Sequence, residues 1–169
     1  MIFFFLCSCP NLTCLDLAQN SEITDTALAA FAESGNKLIK LDLYNCIKLS
    51  YPTALKFVKN HPCLRYLSLS RTKLIPIQLK ELLGFIKNIE ILHLQQNLLS
   101  DAFIRSVADM KLESLLFIDI SNLNKPLSPD SIKYLQNAYP NLSVNLDRNA
   151  GPKYDTETEK RDTDNKRTN

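Results

Sequence analysis

Long apolar runs are missing from this chain, and nothing in its 169 residues approaches the roughly 20 consecutive apolar positions of a membrane-spanning helix. An excess of one charge is missing too. Twenty Lys and Arg stand against 18 Asp and Glu, a balance that excludes the basic stripe of a dedicated nucleic-acid binder. The opening Met1-Ile2-Phe3-Phe4-Phe5-Leu6 lacks the positive n-region and the full apolar stretch of a secretory signal. Cysteine is present without a disulfide framework: Cys7, Cys9, Cys14, Cys46 and Cys63 are odd in number and irregularly spaced, which points to a reducing compartment. Cys7, Cys9 and Cys14 also lack a fourth ligand at a familiar zinc spacing. With three glycines in all, the chain offers no Gly-rich nucleophile elbow. The two sequons, at Asn11 and Asn141, sit at strand entrances and matter only in a secreted protein.

What is present is a period. Residues 38–50 read L-x-x-L-x-L-x-x-C-x-x-L-S, with apolar positions Leu38, Leu41, Leu43, Cys46 and Leu49. Copies begin at Leu12, Leu64, Ile89 and Leu115, so the starts 12, 38, 64, 89 and 115 lie 26, 26, 25 and 26 residues apart. This pattern resembles the leucine-rich repeat, in which each unit supplies one strand and one helix and buries its apolar side only against neighbours. The expected fold class is α/β: a right-handed β-α solenoid with a parallel sheet on the concave face and helices on the convex face. Three segments are expected. Residues 1–11 end a partial N-terminal repeat, 12–146 hold five repeats and a closing strand, and 147–169 form a disordered polar tail. The naked apolar face of residues 2–6 suggests a piece of a longer chain, or an end that self-associates.

Within each unit, alternation places Leu15 and Leu17, Leu41 and Leu43, Leu67 and Leu69, Leu92 and Leu94, and Ile118 and Ile120 on the core side. Thr24, Ser50, Ser100 and Ser128 stand as N-caps before Asp or Pro-containing first turns, and Ile75 before Pro76 is the exception. Helical spacing then selects Leu28 and Phe31, Leu55 and Val58, Leu79 to Ile86, Ile104 to Ala108, and Ile132, Leu135 and Ala138 as buried faces. The ninth position of each unit holds Asn20, Cys46, Thr72, Asn97 or Leu123, and a buried polar side chain there satisfies backbone groups of the turn. Leu142 opens a sixth strand one residue out of phase, with nothing helical after it.

With Cys46 at the ninth position and Glu22-Ile23-Thr24-Asp25 in the unit before it, the repeats resemble the cysteine-containing, ribonuclease-inhibitor-like class over about residues 4–146. The resemblance implies a non-enzymatic protein-protein interaction module, in its best-known form the substrate-recognition arm of an F-box ubiquitin-ligase adaptor, working with ligase subunits. The chain is expected to depart from such an adaptor in having no helical F-box ahead of the repeats. The resemblance also implies residence in the cytoplasm or nucleus. A bacterial or host-mimicking effector acting in the host cytosol, and a structural fragment docking through Phe3, Phe4 and Phe5, are alternatives. The motifs call for no cofactor.

Strand positions facing away from the helices form three columns about 5 Å apart from strand to strand. The first is Cys14, Lys40, Tyr66, Ile91, Phe117; the second Asp16, Asp42, Ser68, His93, Asp119; the third Ala18, Tyr44, Ser70, Gln95, Ser121. Tyr44, Tyr66, His93 and Phe117 are the expected protein-binding residues, with Lys40, Asp42 and Asp119 as their polar rim. His93 beside Asp119 would make binding pH-dependent. Ser68, His93 and Asp119 also stand in the order nucleophile, base, acid, the remote hydrolase alternative.

Overall fold

The computed structural model describes residues 9, 11–33 and 37–147. Expectations for residues 1–8 and for the tail beyond 147 lie outside them. Six three-residue strands, β1 (Cys14–Asp16), β2 (Lys40–Asp42), β3 (Tyr66–Ser68), β4 (Ile91–His93), β5 (Phe117–Asp119) and β6 (Ser143–Asn145), form one sheet in chain order. Every neighbouring pair is parallel. Between them run α1 (Asp25–Ala32), α2 (Tyr51–Asn60), α3 (Pro76–Leu83), α4 (Asp101–Asp109) and α5 (Pro129–Ala138). This is a leucine-rich repeat solenoid. Among the described residues no helix is long and apolar enough to cross a membrane.

The registers are those of the repeat: Leu15 lies beside Leu41, Leu41 beside Leu67, Leu67 beside Leu92, and Leu92 beside Ile118. All five are buried in one core with the second strand leucines and the helix faces. β6 pairs Ser143 with Phe117 and keeps the 26-residue interval of β1 and β2, so the phase shift expected there is absorbed at Leu142, which is buried. Two helix assignments differ from expectation. Phe57 is fully buried on α2 while Leu55 is only half-buried, and Ala138 is exposed.

Sheet hydrogen bonding continues past the assigned strands. Leu43 donates to Ser68 O, Leu69 to His93 O and Leu94 to Asp119 O. A second rung follows, from Gln19 N to Tyr44 O, Asn45 N to Ser70 O, Arg71 N to Gln95 O, and Gln96 N to Ser121 O. These four donors have φ between 52° and 63°, a left-handed conformation that costs a non-glycine residue about 1–2 kcal/mol. The cost recurs once per unit because it aims each N–H at the next strand while turning the chain toward its helix.

The ninth-position side chains hold that turn from inside. Cys46 Sγ reaches Leu17 O at 3.3 Å, Thr72 Oγ1 donates to Leu69 O at 2.9 Å, and Asn97 Nδ2 donates to Leu69 O and Leu94 O at 2.9 and 3.2 Å. Burial pushes the Cys46 thiol up to about 11, with Asp42 adding to the effect, so it stays protonated as a donor. Leu123 packs against the core instead.

At the helix starts, Ser100 accepts from Phe103 N and Ser128 from Ser131 N, as caps do. Thr24 and Ser50 have the extended cap backbone but accept no such bond. The acids at the first helical position do something else: Asp25 accepts from Ser50 N at 2.9 Å, and Asp101 from Ser128 N at 2.8 Å and Ser131 Oγ at 2.6 Å. Each carboxylate therefore ties one unit to the next, and those bonds hold Asp101 ionised below the usual carboxylate range. Before α3, where no polar cap exists, Gln78 Oε1 accepts from Ile75 N at 3.1 Å.

Candidate functional site on the sheet face

Strand parity puts the three columns on the face opposite the helices, and the observed registers show the membership of the first two. Cys14, Lys40, Tyr66, Ile91, Phe117 and Ser143 are consecutive in register, as are Asp16, Asp42, Ser68, His93, Asp119 and Asn145. The columns differ in depth. Lys40, Tyr66, Ile91 and Phe117 are half-exposed, whereas Asp42 (3% exposed), Ser68, His93 (5%) and Asp119 (0%) are buried, and so are Ser70, Gln95 and Ser121. Asp16 alone of the second-column acids is exposed, because it lies on the edge strand.

Asp42 and Asp119 are therefore not the polar rim expected from the sequence. Their carboxylates are occupied by the fold. Asp42 Oδ1 accepts from Tyr44 N at 2.9 Å and its Oδ2 from Tyr66 OH at 3.2 Å. Asp119 Oδ1 accepts from Ser121 N at 3.0 Å, while Oδ2 accepts from the side-chain amides of Gln95 and Asn145. An Asp two residues before the sheet ends can bond the N–H leaving the strand, as Asp16 does to Ala18 N. In the Ser68 and His93 units, Ser70 Oγ serves Gln95 N instead.

His93 is likewise corrected from contact residue to buried support. Its ring lies between those of Tyr66 and Phe117, with centroids 5.2 and 5.4 Å away in tilted geometry. Nδ1 is 3.8 Å from Asp119 Oδ2, an ion pair only when the imidazole is protonated. Ser68, His93 and Asp119 thus do stand in register, but the acid is engaged by amide donors and all three side chains lie below the aromatic surface. That arrangement serves packing.

Tyr66, Phe117 and Ile91 remain as the accessible apolar strip, flanked by half-exposed Tyr44 and by Lys40, whose Nζ sits 4.8 Å from the Tyr66 ring centroid. Ile39 (42% exposed) and Leu116 (52%) are further exposed apolar side chains at the strand entrances, off the strip by strand alternation, with the Arg65–Glu90 ion pair between them at 3.3 Å. Both fill the second position of the unit, where Thr13, Arg65 and Glu90 stand in the other copies. An apolar residue at a position otherwise polar was the signal for them. Cys9 and Cys14, two of the three cysteines weighed as zinc ligands, are exposed free thiols, and Cys7 lies outside the described residues.

No family model matches the chain, and neither does any curated protein. Among solved structures, the C-terminal domain of tropomodulin from Caenorhabditis elegans superposes with a TM-score of 0.50 at 12% identity, covering 96% of this chain and 89% of that one. The likeness is one of fold.

Proposed function

We propose that this chain is a non-enzymatic protein-interaction module whose sheet face binds a protein partner. The observation that carries this is the continuous row of half-exposed Tyr66, Ile91 and Phe117, consecutive in register on a solenoid whose core is complete without them. Aromatic side chains held rigid at a surface give large contact area at small entropic cost, and such anchors typically lose about 1–4 kcal/mol of binding on truncation to Ala. Lys40 and Tyr44 supply polar contacts around them. Buried His93 and Asp119 set the tilt of the two rings rather than touching the partner. Cys46, bonded to the turn of the preceding unit, supports placing the repeats in the cysteine-containing class.

Affinity capture from cell extract with mass spectrometry, run in parallel with the parent and a Tyr66→Ala/Phe117→Ala variant, tests the proposal. Proteins retained by the parent and lost by the folded variant are expected, and ligase subunits among them would support the adaptor role. An identical set from both would overturn the assignment to this face.

A further inference from the structure

Two turns of the solenoid are built alike but end differently. α2 closes with Asn60-His61-Pro62-Cys63-Leu64, and α5 with Ala138-Tyr139-Pro140-Asn141-Leu142. Their caps share a backbone, with φ and ψ of −125° and 62° at His61 and −130° and 86° at Tyr139. Their hydrogen bonds correspond, His61 N to Phe57 O with Tyr139 N to Leu135 O, and Leu64 N to His61 O with Leu142 N to Tyr139 O. In the first turn the Asn60 carboxamide crosses to the preceding helix and donates to Ala32 O at 2.8 Å. In the second, Ala138 stands where Asn60 does and Ala108 where Ala32 does, and alanine has neither the reach nor the donor. An open cleft of about 590 Å³ lies there, with both alanines in its wall.

The cleft is firm. Its floor is Tyr139, whose hydroxyl donates to Val107 O at 2.7 Å and accepts from Leu112 N at 3.1 Å. Leu116 and Pro140 give it an apolar side. Its charged lining is Asp109, Glu113 and Lys111, a surplus of one carboxylate, and it sits at the carbonyl end of α4, the negative pole of that helix. Asp109 Oδ1 accepts from Tyr134 OH at 2.9 Å, and Glu113 is a second, exposed carboxylate of the lining placed to pair with an incoming cation.

We propose that this cleft is a second binding site, distinct from the sheet face, which takes an arginine side chain of a protein partner. The guanidinium would supply the N–H donor that Asn60 supplies in the earlier turn, directed at the Ala108 carbonyl, with a further N–H to Glu113. Its aliphatic stem lies along Leu116 and Pro140. Arginine fits where lysine or asparagine does less well, because its planar fork carries five N–H donors on a stem that packs against apolar surface. The volume falls in the range of about 300–1,000 Å³ of small-ligand sites.

Heteronuclear NMR titration of the full chain with the blocked dipeptide acetyl-Leu-Arg-amide tests this, with acetyl-Leu-Glu-amide as comparator. Saturable shifts are expected at amides of residues 108–113 and at Tyr139 and Asn141, from the arginine peptide alone. Ala138→Asn, which restores the residue that the same turn carries at position 60, is expected to keep the parent fold and weaken binding about tenfold. Glu113→Gln, at an exposed position, is expected to weaken it comparably, and Phe117→Ala to leave it unchanged, which separates this site from the sheet face. Absent or unsaturable shifts, shifts outside the cleft, equal binding of the glutamate peptide, or unchanged affinity in both Ala138→Asn and Glu113→Gln would overturn it.

Discussion

Asp119 faces away from the helices by parity, yet it is fully buried, with its oxygens shared among Ser121 N, Gln95 and Asn145. Alternation in the sequence correctly gave the direction of this column; it could not give its depth, which depends on Tyr66 and Phe117 closing over His93 from the neighbouring column. Removing the Asp119 carboxylate orphans three donors, so Asp119→Ala is expected to cost about 3 kcal/mol in urea denaturation, against less than about 1 kcal/mol for exposed Asp16→Ala. Equal losses would mean that the two acids do the same work. His61 is a further buried titratable side chain with a consequence for the fold. It lies against the rings of Phe31 and Phe57, and its Nδ1–H donates to Phe57 O at 2.8 Å. Burial lowers its pKa from 6.5, more than that hydrogen bond raises it, so the folded state holds the neutral ring. The sign follows: its contribution is complete above the unfolded value and is lost as the pH falls below 6.5 toward the lowered folded value. Melting temperatures of the parent should decline across that acidic window, and His61→Leu should show a shallower decline. Identical pH slopes for the two would place the titration elsewhere.

Strand phase and helix starts were legible in the sequence, because a period of 25 or 26 residues fixes the apolar positions and, in four of the five units, a polar residue before the helix. The bonds made at those starts were not. Thr24, Ser50, Ser100 and Ser128 look alike in sequence, but only Ser100 and Ser128 accept from the third helical N–H. The Ser50 hydroxyl bonds Thr53 Oγ1 instead, and Asp25 and Asp101 reach across to Ser50 N and Ser128 N of the neighbouring unit, contacts that no local pattern encodes. Ser128→Ala is accordingly expected to destabilise the chain by about 1 kcal/mol, while Thr24→Ala changes it by a few tenths. Thermal melts of the two variants decide the point; a loss for Thr24→Ala as large as for Ser128→Ala would contradict the observed caps. The left-handed residues after each strand escaped notice for a related reason, as Gln19, Asn45, Arg71 and Gln96 occupy a conformation usually signalled by glycine.

At the level of the whole molecule, the repeat divides its side chains between two tasks. Core positions stack from unit to unit and stabilise the solenoid cooperatively, while the outward first column varies from unit to unit and, in the function proposed above, is the part that meets the partner. The fold was therefore readable from one periodic pattern. The candidate site was readable only as a list of columns, since which column stays accessible depends on ring packing. Leu67 and Phe117 sit on opposite sides of this division, one fully buried between Leu41 and Leu92 and the other half-exposed at the end of the aromatic strip. Urea denaturation of Leu67→Ala and Phe117→Ala beside the parent tests it most directly. Leu67→Ala is expected to lose about 2–5 kcal/mol and Phe117→Ala about 1 kcal/mol or less; a Leu67→Ala curve that overlays the parent, or a Phe117→Ala loss as large as that expected for Leu67→Ala, would contradict the division between core and recognition face.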